Sequence, residues 1–384
     1  MTYAEAVRRS NIMDANQNLT AEMIKIDPYN YTLSEMVDVI GETEAKKLFK
    51  SIYKGTSKLS YQTIKVKDVF NGGDTRKYAF ELCDHYCIET VCIQRKTGTT
   101  VCVSTMVGCP VGCVFCESGK NGFIRNLTPS EIVQQIVLLR EKVNRIVFMG
   151  MGEPLFNYDN LVKAIHILRD RDGLNFPTDG ITISTVGPLQ QLKKIREEHL
   201  KIQLTLSLHA TDQRTRDIVM PHMKGHDIRK VVETVLSYSE RHNRKVTIAY
   251  LLIPGLNDRS SDVRQLGKWF RGKNVLINLL QYNETSNSRI KRPNKQQLVA
   301  FKTRLEDAGL EVKLRESRGN RIKAACGQLV SEYNRQGKKT ANRTVNGTEN
   351  SNGSVRKSSF TGRASSKRHP FAKHKNVGKK RKHE

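Results

Sequence analysis

The chain has 384 residues, 38% of them hydrophobic, and a formal net charge of +27. That length can bury a full core, and no apolar run approaches the ~20 residues that span a bilayer, so a membrane-spanning helical protein is excluded. The opening residues, Met1-Thr-Tyr-Ala-Glu-Ala-Val-Arg-Arg9, lack the apolar stretch of a signal peptide. The expected compartment is the cytoplasm, where thiols stay reduced, so eight cysteines read as metal ligands or redox groups rather than a disulfide framework. The excess of cations favours a polyanionic partner, nucleic acid first, because each neutralised phosphate releases counterions.

In chain order, residues 31–39 and 42–53 read as two short helices and residues 61–70 as a strand. Asn71-Gly-Gly-Asp74 is a turn signal that would join two strands in a hairpin. Residues 1–75 are therefore expected to form a small N-terminal accessory domain running into a strand pair. From residue 99 onward, β-rich runs alternate with helix-length segments. The strands are expected at 99–105, 145–150, 180–185, 202–210, 245–253, 275–282 and 311–316, and the helices at 129–143, 160–169, 228–242, 261–271 and 295–308. Such alternation argues for parallel strands with helical crossovers, an α/β fold in which a partial TIM-like (βα) barrel is favoured over an open doubly wound sheet. The core is assigned to residues 76–334. The remainder, 335–384, holds fifteen Lys and Arg against two Glu, with no Leu, Ile or Trp. It cannot bury enough surface to fold and is expected to be a disordered basic tail, which either grips phosphates or keeps the chain soluble.

Directly after the first of these strands come three cysteines, Cys109-Pro-Val-Gly-Cys113-Val-Phe-Cys116. A C-x3-C-x2-C loop has one ligand too few for a structural zinc site or a fully protein-ligated iron–sulfur cluster. It can instead hold three irons of a [4Fe–4S] cluster and leave the fourth open to a cofactor, the arrangement of radical S-adenosylmethionine (SAM) enzymes. Other informative residues also sit at strand ends: Gly150-Met-Gly152-Glu153-Pro, Ser184-Thr, Ser207-Leu208-His209 and Asn283. In a (βα) fold they would converge on one rim.

These motifs occur in order with Gly122-Phe-Ile-Arg-Asn-Leu-Thr128 and Ala324-Ala-Cys326-Gly-Gln-Leu329, and from about residue 88 to 329 the chain resembles the RlmN/Cfr family of radical SAM RNA methyltransferases. The resemblance implies a [4Fe–4S] cluster on Cys109, Cys113 and Cys116, and SAM held by Gly152, Glu153, Ser184, Ser207, Leu208, His209 and Asn283. It implies methylation of an adenosine ring carbon in the peptidyl-transferase centre of 23S rRNA: carbon 2 for RlmN types, some of which also act on tRNA, and carbon 8 for Cfr types, with antibiotic resistance. A ring carbon bearing hydrogen is not nucleophilic, so the methyl group needs a carrier, and a thiolate suits. The family match makes Cys326 that carrier, Cys102 the second thiol that releases product and leaves a disulfide, and Glu89 the acceptor of the ring proton. A reductant such as flavodoxin or ferredoxin and a monomeric state complete the expectation.

Each residue also has a plainer reading. Cys326 alone would be a small buried core thiol, and Glu89 a surface strand glutamate. Cys83, Cys87 and Cys92 match nothing in the family and read as structural. The chain departs from the family where Cys116-Glu-Ser-Gly replaces the common Cys-Ala-Thr-Gly, and where Arg318-Gly-Asn-Arg-Ile-Lys precedes the carrier motif. A non-catalytic basic RNA-binding iron–sulfur protein is the rival from another class, but it would need neither Cys102 nor Cys326.

Overall fold

The computed structural model describes residues 27–57, 61–120, 122–139, 141–285, 290–315, 317–329 and 333–334. The basic tail expected over 335–384 lies outside the described residues.

The N-terminal region builds helix α1 (Leu33–Ile40) and helix α2 (Glu42–Tyr53). Thr32 and Glu35 close a capping box at the start of α1: Thr32 Oγ1 accepts the Glu35 N–H at 3.3 Å, and Glu35 Oε2 accepts the Thr32 N–H at 2.8 Å. Such a cap is worth about 1 kcal/mol. Met36, Ile40, Ala45, Phe49 and Ile52 turn inward at helical spacing and join the main core.

Ten strands form one sheet. The strands β1 (Ile64–Asn71), β2 (Thr75–Leu82), β3 (Cys87–Arg95) and β4 (Gly98–Cys102) run antiparallel in sequence order, and the Asn71–Asp74 turn makes the expected hairpin. From β4 the sheet becomes parallel through β7 (Val143–Phe148), β8 (Ile181–Thr185), β9 (Gln203–Ser207), β10 (Val246–Leu252), β11 (Val275–Gln281) and β12 (Val312–Arg315). A separate hairpin, β5 (Met106–Gly108) with β6 (Phe123–Asn126), brackets the cysteine loop. The crossovers are α3 (Pro129–Val137), α4 (Tyr158–Arg169), α5 (Leu189–Glu197), α6 (Gln213–Val219), α7 (Ile228–His242), α8 (Ser260–Phe270) and α9 (Lys295–Asp307). The α/β architecture with parallel strands is the one expected.

The core follows from this layering. Strand β10 is buried at every position but Thr247, as a strand covered on both faces should be. Helix α7 buries Val231, Val232, Val235 and Tyr238 against it, each such side chain contributing roughly 1.5–3 kcal/mol. Two expectations are corrected. The helix expected to reach 143 ends at Val137, because β7 already begins at Val143. Strand β4 stops at Cys102; Val103 N–H still donates to Val147 O of β7 at 2.9 Å, but Thr105 has turned to the loop, its N–H donating to Met151 O at 2.9 Å.

A buried polar network fixes this exit. Gln135 Oε1 accepts from Thr90 Oγ1 at 2.7 Å and from Ser104 N–H at 2.8 Å, and Ser104 Oγ donates to Glu89 O at 2.6 Å. Helix α3, strand β3 and the chain leaving β4 are thereby locked together, and a partly broken network of this kind is costly. Gly150 seals the junction from the β7 side: a Cβ there would lie 2.7 Å from Ser104 N and from the carbonyl carbon of Val103. Gly150→Ala should therefore cost about 1–3 kcal/mol through overpacking. Urea unfolding would show this as a lowered midpoint, and an unshifted midpoint would reject the close fit.

Candidate active site

A cavity of about 230 Å³ opens at the C-terminal ends of the parallel strands. Residues of β4 (Cys102) and of β12 (Arg315) both line it, so the two ends of the parallel run curl around one space. Three expected cluster ligands, Cys109, Cys113 and Cys116, line one part, and Cys326 and Cys102 line another. Gly152, Glu153, Ser184, Ser207, His209 and Asn283 complete the expected set that faces this space. Leu208 and Glu89 are not among the lining residues.

The cysteine loop is held by its backbone and its apolar neighbours. Cys109 N–H donates to Gly122 O at 3.1 Å, Cys116 N–H to Cys113 O at 3.1 Å and Val114 N–H to Val219 O at 3.0 Å. Val111, Val219, Met220 and Tyr282 form a small apolar cluster against Cys109 and Cys113. Burial pushes all three thiols upward, Cys109 to about 12, and repulsion between the cysteines adds to this at Cys109 and Cys113. The N–H groups of Val111 and Gly112 oppose the rise at Cys109, as those of Ser118 and Gly119 do at Cys116. The thiols therefore need a bound cation to become thiolates, which iron supplies. Among the described residues no three His, Cys, Asp or Glu side chains converge to hold a single metal ion. A cubane cluster asks each thiolate for a different iron rather than for a shared ion, and three thiols of one loop that border one cavity fit that demand.

The loop that bears Cys326 is tied directly to the cysteine loop. Glu117 N–H donates to Gly327 O at 2.7 Å, and Ser118 Oγ donates to Leu329 O at 2.6 Å. Asn283 Nδ2 donates to Cys326 O at 3.0 Å, and Asn283 Oδ1 accepts from Ser317 Oγ. The residues at which this chain departs from the family's Cys-Ala-Thr-Gly thus make two of the stitches. Cys326 itself is exposed, which rules out the buried-core reading. All eight cysteines are free thiols. Cys102 is pushed up to about 12, by burial first and then by the Cys326 sulfur, and both thiols line the same cavity. Cys87 and Cys92 are buried in β3, whereas Cys83 is exposed and donates to Thr63 O at 3.1 Å.

Glu89 is buried, which overturns the surface reading. Lys77 Nζ, itself buried, lies 2.9 Å from Glu89 Oε1. Alternation along β3 puts Glu89 on the face of Val91 and Ile93, both of which line the cavity, and Val91 pairs with Cys102. The carboxylate thus lies under the cavity floor, one strand from Cys102.

Glu153 uses its side chain to shape the rim. Its Oε1 accepts from Thr185 Oγ1 at 2.5 Å and from Leu155 N–H at 3.1 Å, and its Oε2 accepts from Val186 N–H at 2.9 Å. Burial raises its pKa to about 7 despite these bonds. Gly152 adopts φ +107°, and a Cβ there would meet Met106 and Thr105 at 2.8 Å, so only glycine keeps this bend next to the cavity. Ser184 Oγ and Ser207 Oγ lie 3.3 Å apart at neighbouring strand ends. Leu208 is fully buried, its N–H donating to Ala249 O at 3.1 Å. His209 Nδ1 accepts the Leu251 N–H at 2.9 Å, so the neutral ring carries its proton on Nε2. Burial, with Arg216 as a second cause, lowers the His209 pKa to about 3.

Two arginines escaped the sequence reading, of which only Arg315 borders the cavity. Arg315 lines the cavity and contacts Met149 Sδ at 3.7 Å. Arg216, on α6, is fully buried beside the cysteine loop. The signal available for Arg216 was its i, i+3 relation to Val219 on one helix face, a weak one in a helix of seven residues.

Residues 103–266 match the Radical SAM superfamily. A probable RNA methyltransferase from Rhodopseudomonas palustris is 49% identical over 258 residues, covering 67% of this chain and 72% of that one. A probable dual-specificity RNA methyltransferase RlmN from Dictyoglomus turgidum is 40% identical over 281 residues, 71% of this chain and 81% of that one. The crystal structure of a radical SAM methyltransferase from Sphaerobacter thermophilus superposes with a TM-score of 0.74 at 31% identity, covering 78% of this chain and 98% of that one. The fold and the thiol-lined cavity define a radical SAM enzyme, a partial (βα) barrel that uses a [4Fe–4S] cluster and SAM. The chain belongs to the RlmN/Cfr family of radical SAM RNA methyltransferases. Its substrate is RNA, and the non-catalytic rival falls. Among the described residues no helix is long and apolar enough to cross a membrane.

The state of His209 gives a pH test. Its folded pKa lies near 3 and the unfolded value at 6.5, so between them the unfolded chain binds the extra proton. Stability is therefore fully present above 6.5 and falls as pH drops through that window. Acidification from about pH 7.5 to about pH 5.5 should lower the urea midpoint of the wild type more than that of His209→Gln. Equal losses in the two proteins would reject the buried neutral ring.

Proposed function

We propose that the enzyme methylates carbon 2 of an adenosine in 23S rRNA, with tRNA as a further substrate, through a methyl group carried on Cys326. The observation that carries this reading is the placement of an exposed Cys326 in the cavity that holds the three cluster thiols, its loop stitched to theirs. Relatives named RlmN, at 35–41% identity, favour carbon 2 over the carbon 8 of Cfr types.

Cys109, Cys113 and Cys116 hold the cluster, and Gly152, Glu153, Ser184, Ser207, Leu208, His209 and Asn283 shape the SAM site. Glu153 acts through the rim it braces, Leu208 through its backbone, and Asn283 by fixing the carbonyl of Cys326. Held by these residues, the cluster and SAM would supply the one-electron chemistry that activates the carried methyl group by removal of a hydrogen atom. The chain's own residues do the rest. The Cys326 thiolate takes the methyl group from a first SAM, and the activated carbon then bonds to the adenine ring. Glu89, whose Oε1 lies 2.9 Å from Lys77 Nζ, accepts the ring proton. The adduct would give one electron back to the bound cluster. Cys102 then attacks the Cys326 sulfur, and the sulfur–carbon bond breaks with its electron pair left on carbon. That carbon takes up a proton to complete the methyl group, and a Cys102–Cys326 disulfide remains. Flavodoxin or ferredoxin supplies electrons in the cytoplasm, and the monomer is the working unit.

Cys326→Ala should keep full cluster absorbance and lose methyl transfer, and retained transfer would remove its carrier role. Cys102→Ala should accumulate a covalent enzyme–RNA species in denaturing gels. Only free RNA and protein there would reject the resolving role. Mass spectrometry of rRNA and tRNA from a deletion strain complemented with this protein, run against synthetic standards, should show 2-methyladenosine. Finding 8-methyladenosine would assign the Cfr reaction instead.

A further inference from the structure

Helix α6 brings one charge to the back of the cysteine loop. Arg216 has no exposed surface. It lies one turn before Val219, whose carbonyl accepts the N–H of Val114, the neighbour of Cys113, at 3.0 Å. Val219, Met220 and Met223 pack into the same apolar cluster as Cys113. The guanidinium donates through Nη1 to Leu208 O at 3.0 Å and through Nη2 to Val186 O. Its Nε–H is buried and meets no acceptor among the described residues. Both partners are neutral carbonyls. Neither nearby acid bonds it: Asp217 Oδ1 accepts from Gln213 Nε2 at 2.8 Å, and Glu153 gives its oxygens to Thr185, Leu155 and Val186.

A fully buried cation that meets only dipoles is costly unless an anion joins it. One group beside it becomes anionic in the working enzyme, the thiolate set. Val186, whose carbonyl takes the Nη2 hydrogen of Arg216, packs in the same apolar cluster as Cys109 and Cys113, which sets the guanidinium behind those thiols.

We propose that Arg216 is the fixed countercharge of the iron–sulfur site, and that its guanidinium behind Cys113 raises the reduction potential of the cluster. The inference rests on Cys109, Cys113 and Cys116 being the ligands. Three thiolates leave an oxidised cubane anionic, and an added electron makes it more so. A cation held close in a medium of low dielectric constant favours the reduced state more than the oxidised one. Net charge and hydrogen bonding at the sulfurs are the means by which a protein tunes such clusters. Arg216 acts through the cluster and touches no substrate. Its carbonyl contacts also brace the turns after β8 and β9, so loss of activity alone would not identify the electrostatic role.

The test compares wild type, Arg216→Lys and Arg216→Met, each loaded anaerobically with iron and sulfide. Iron per chain is measured, and the midpoint potential is read from an electron paramagnetic resonance titration. Arg216→Met should shift the redox equilibrium at least tenfold toward the oxidised cluster, about 59 mV for a one-electron couple, and Arg216→Lys should stay within that margin of wild type. If Arg216→Met takes up no iron while Arg216→Lys loads normally, the countercharge is needed at assembly, and the proposal stands. A wild-type potential in Arg216→Met, or equal behaviour of the Met and Lys variants, overturns it and leaves a brace for two carbonyls. Cys113→Ala keeps the underlying assignment separate: full iron content in that variant would remove the ligand reading, and this proposal with it.

Discussion

The site depends on a hydrogen bond between two loops that lie far apart in the chain, Glu117 N–H to Gly327 O at 2.7 Å, seconded by Ser118 Oγ to Leu329 O. The cysteine loop follows the first parallel strand and the loop that bears Cys326 follows the last. Each bond contributes only about 1 kcal/mol net, but breaking a buried one leaves polar groups stranded at higher cost. Asn283 adds a third stitch at Cys326 O. Without such ties a thiol on an irregular segment after β12 would sample many positions, and reactions between positioned groups lose heavily from small misplacements.

The sheet supplies the second constraint. Parallel strands deliver their C-terminal ends to one rim, so Cys102, Ser184, Ser207, Asn283 and Arg315 meet although more than two hundred residues separate the first from the last. The antiparallel extension β1–β4 does a different job. It places Glu89 on β3, next to the strand of Cys102, with Lys77 on β2 beyond it, and the Gln135–Ser104–Thr90 network holds that register. The low polarity that follows keeps His209 neutral and raises the thiols of Cys102 and Cys109.

Most of the parallel core was legible because its strands are short apolar runs and several crossovers carry a clear 3.6-residue pattern, as α7 does with Val231, Val232, Val235 and Tyr238. Helices α5 (LQQLKKIRE) and α6 (QRTRDIV) escaped because each buries few side chains and reads as polar. The motif residues could be placed at strand ends, and most do face the cavity. Their partners could not be read. Nothing local says that Glu89 faces Lys77, that Glu153 spends both oxygens on the turn after β8, or that Asn283 reaches the backbone of Cys326. Those are contacts across the sheet, fixed by register and packing rather than by neighbours in sequence. Arg216 is the clearest case, because a charged residue on a short helix gives every sign of facing water.

The single proton on the His209 ring has an effect beyond pH. Imidazole is a common iron ligand, and one bordering this cavity could fill the vacant corner of a three-cysteine cluster. Here Nδ1 is committed to Leu251, and the remaining nitrogen carries hydrogen, so the ring has no lone pair to offer. The backbone of β10 thereby takes His209 out of the set of side chains that could ligate a metal in this cavity.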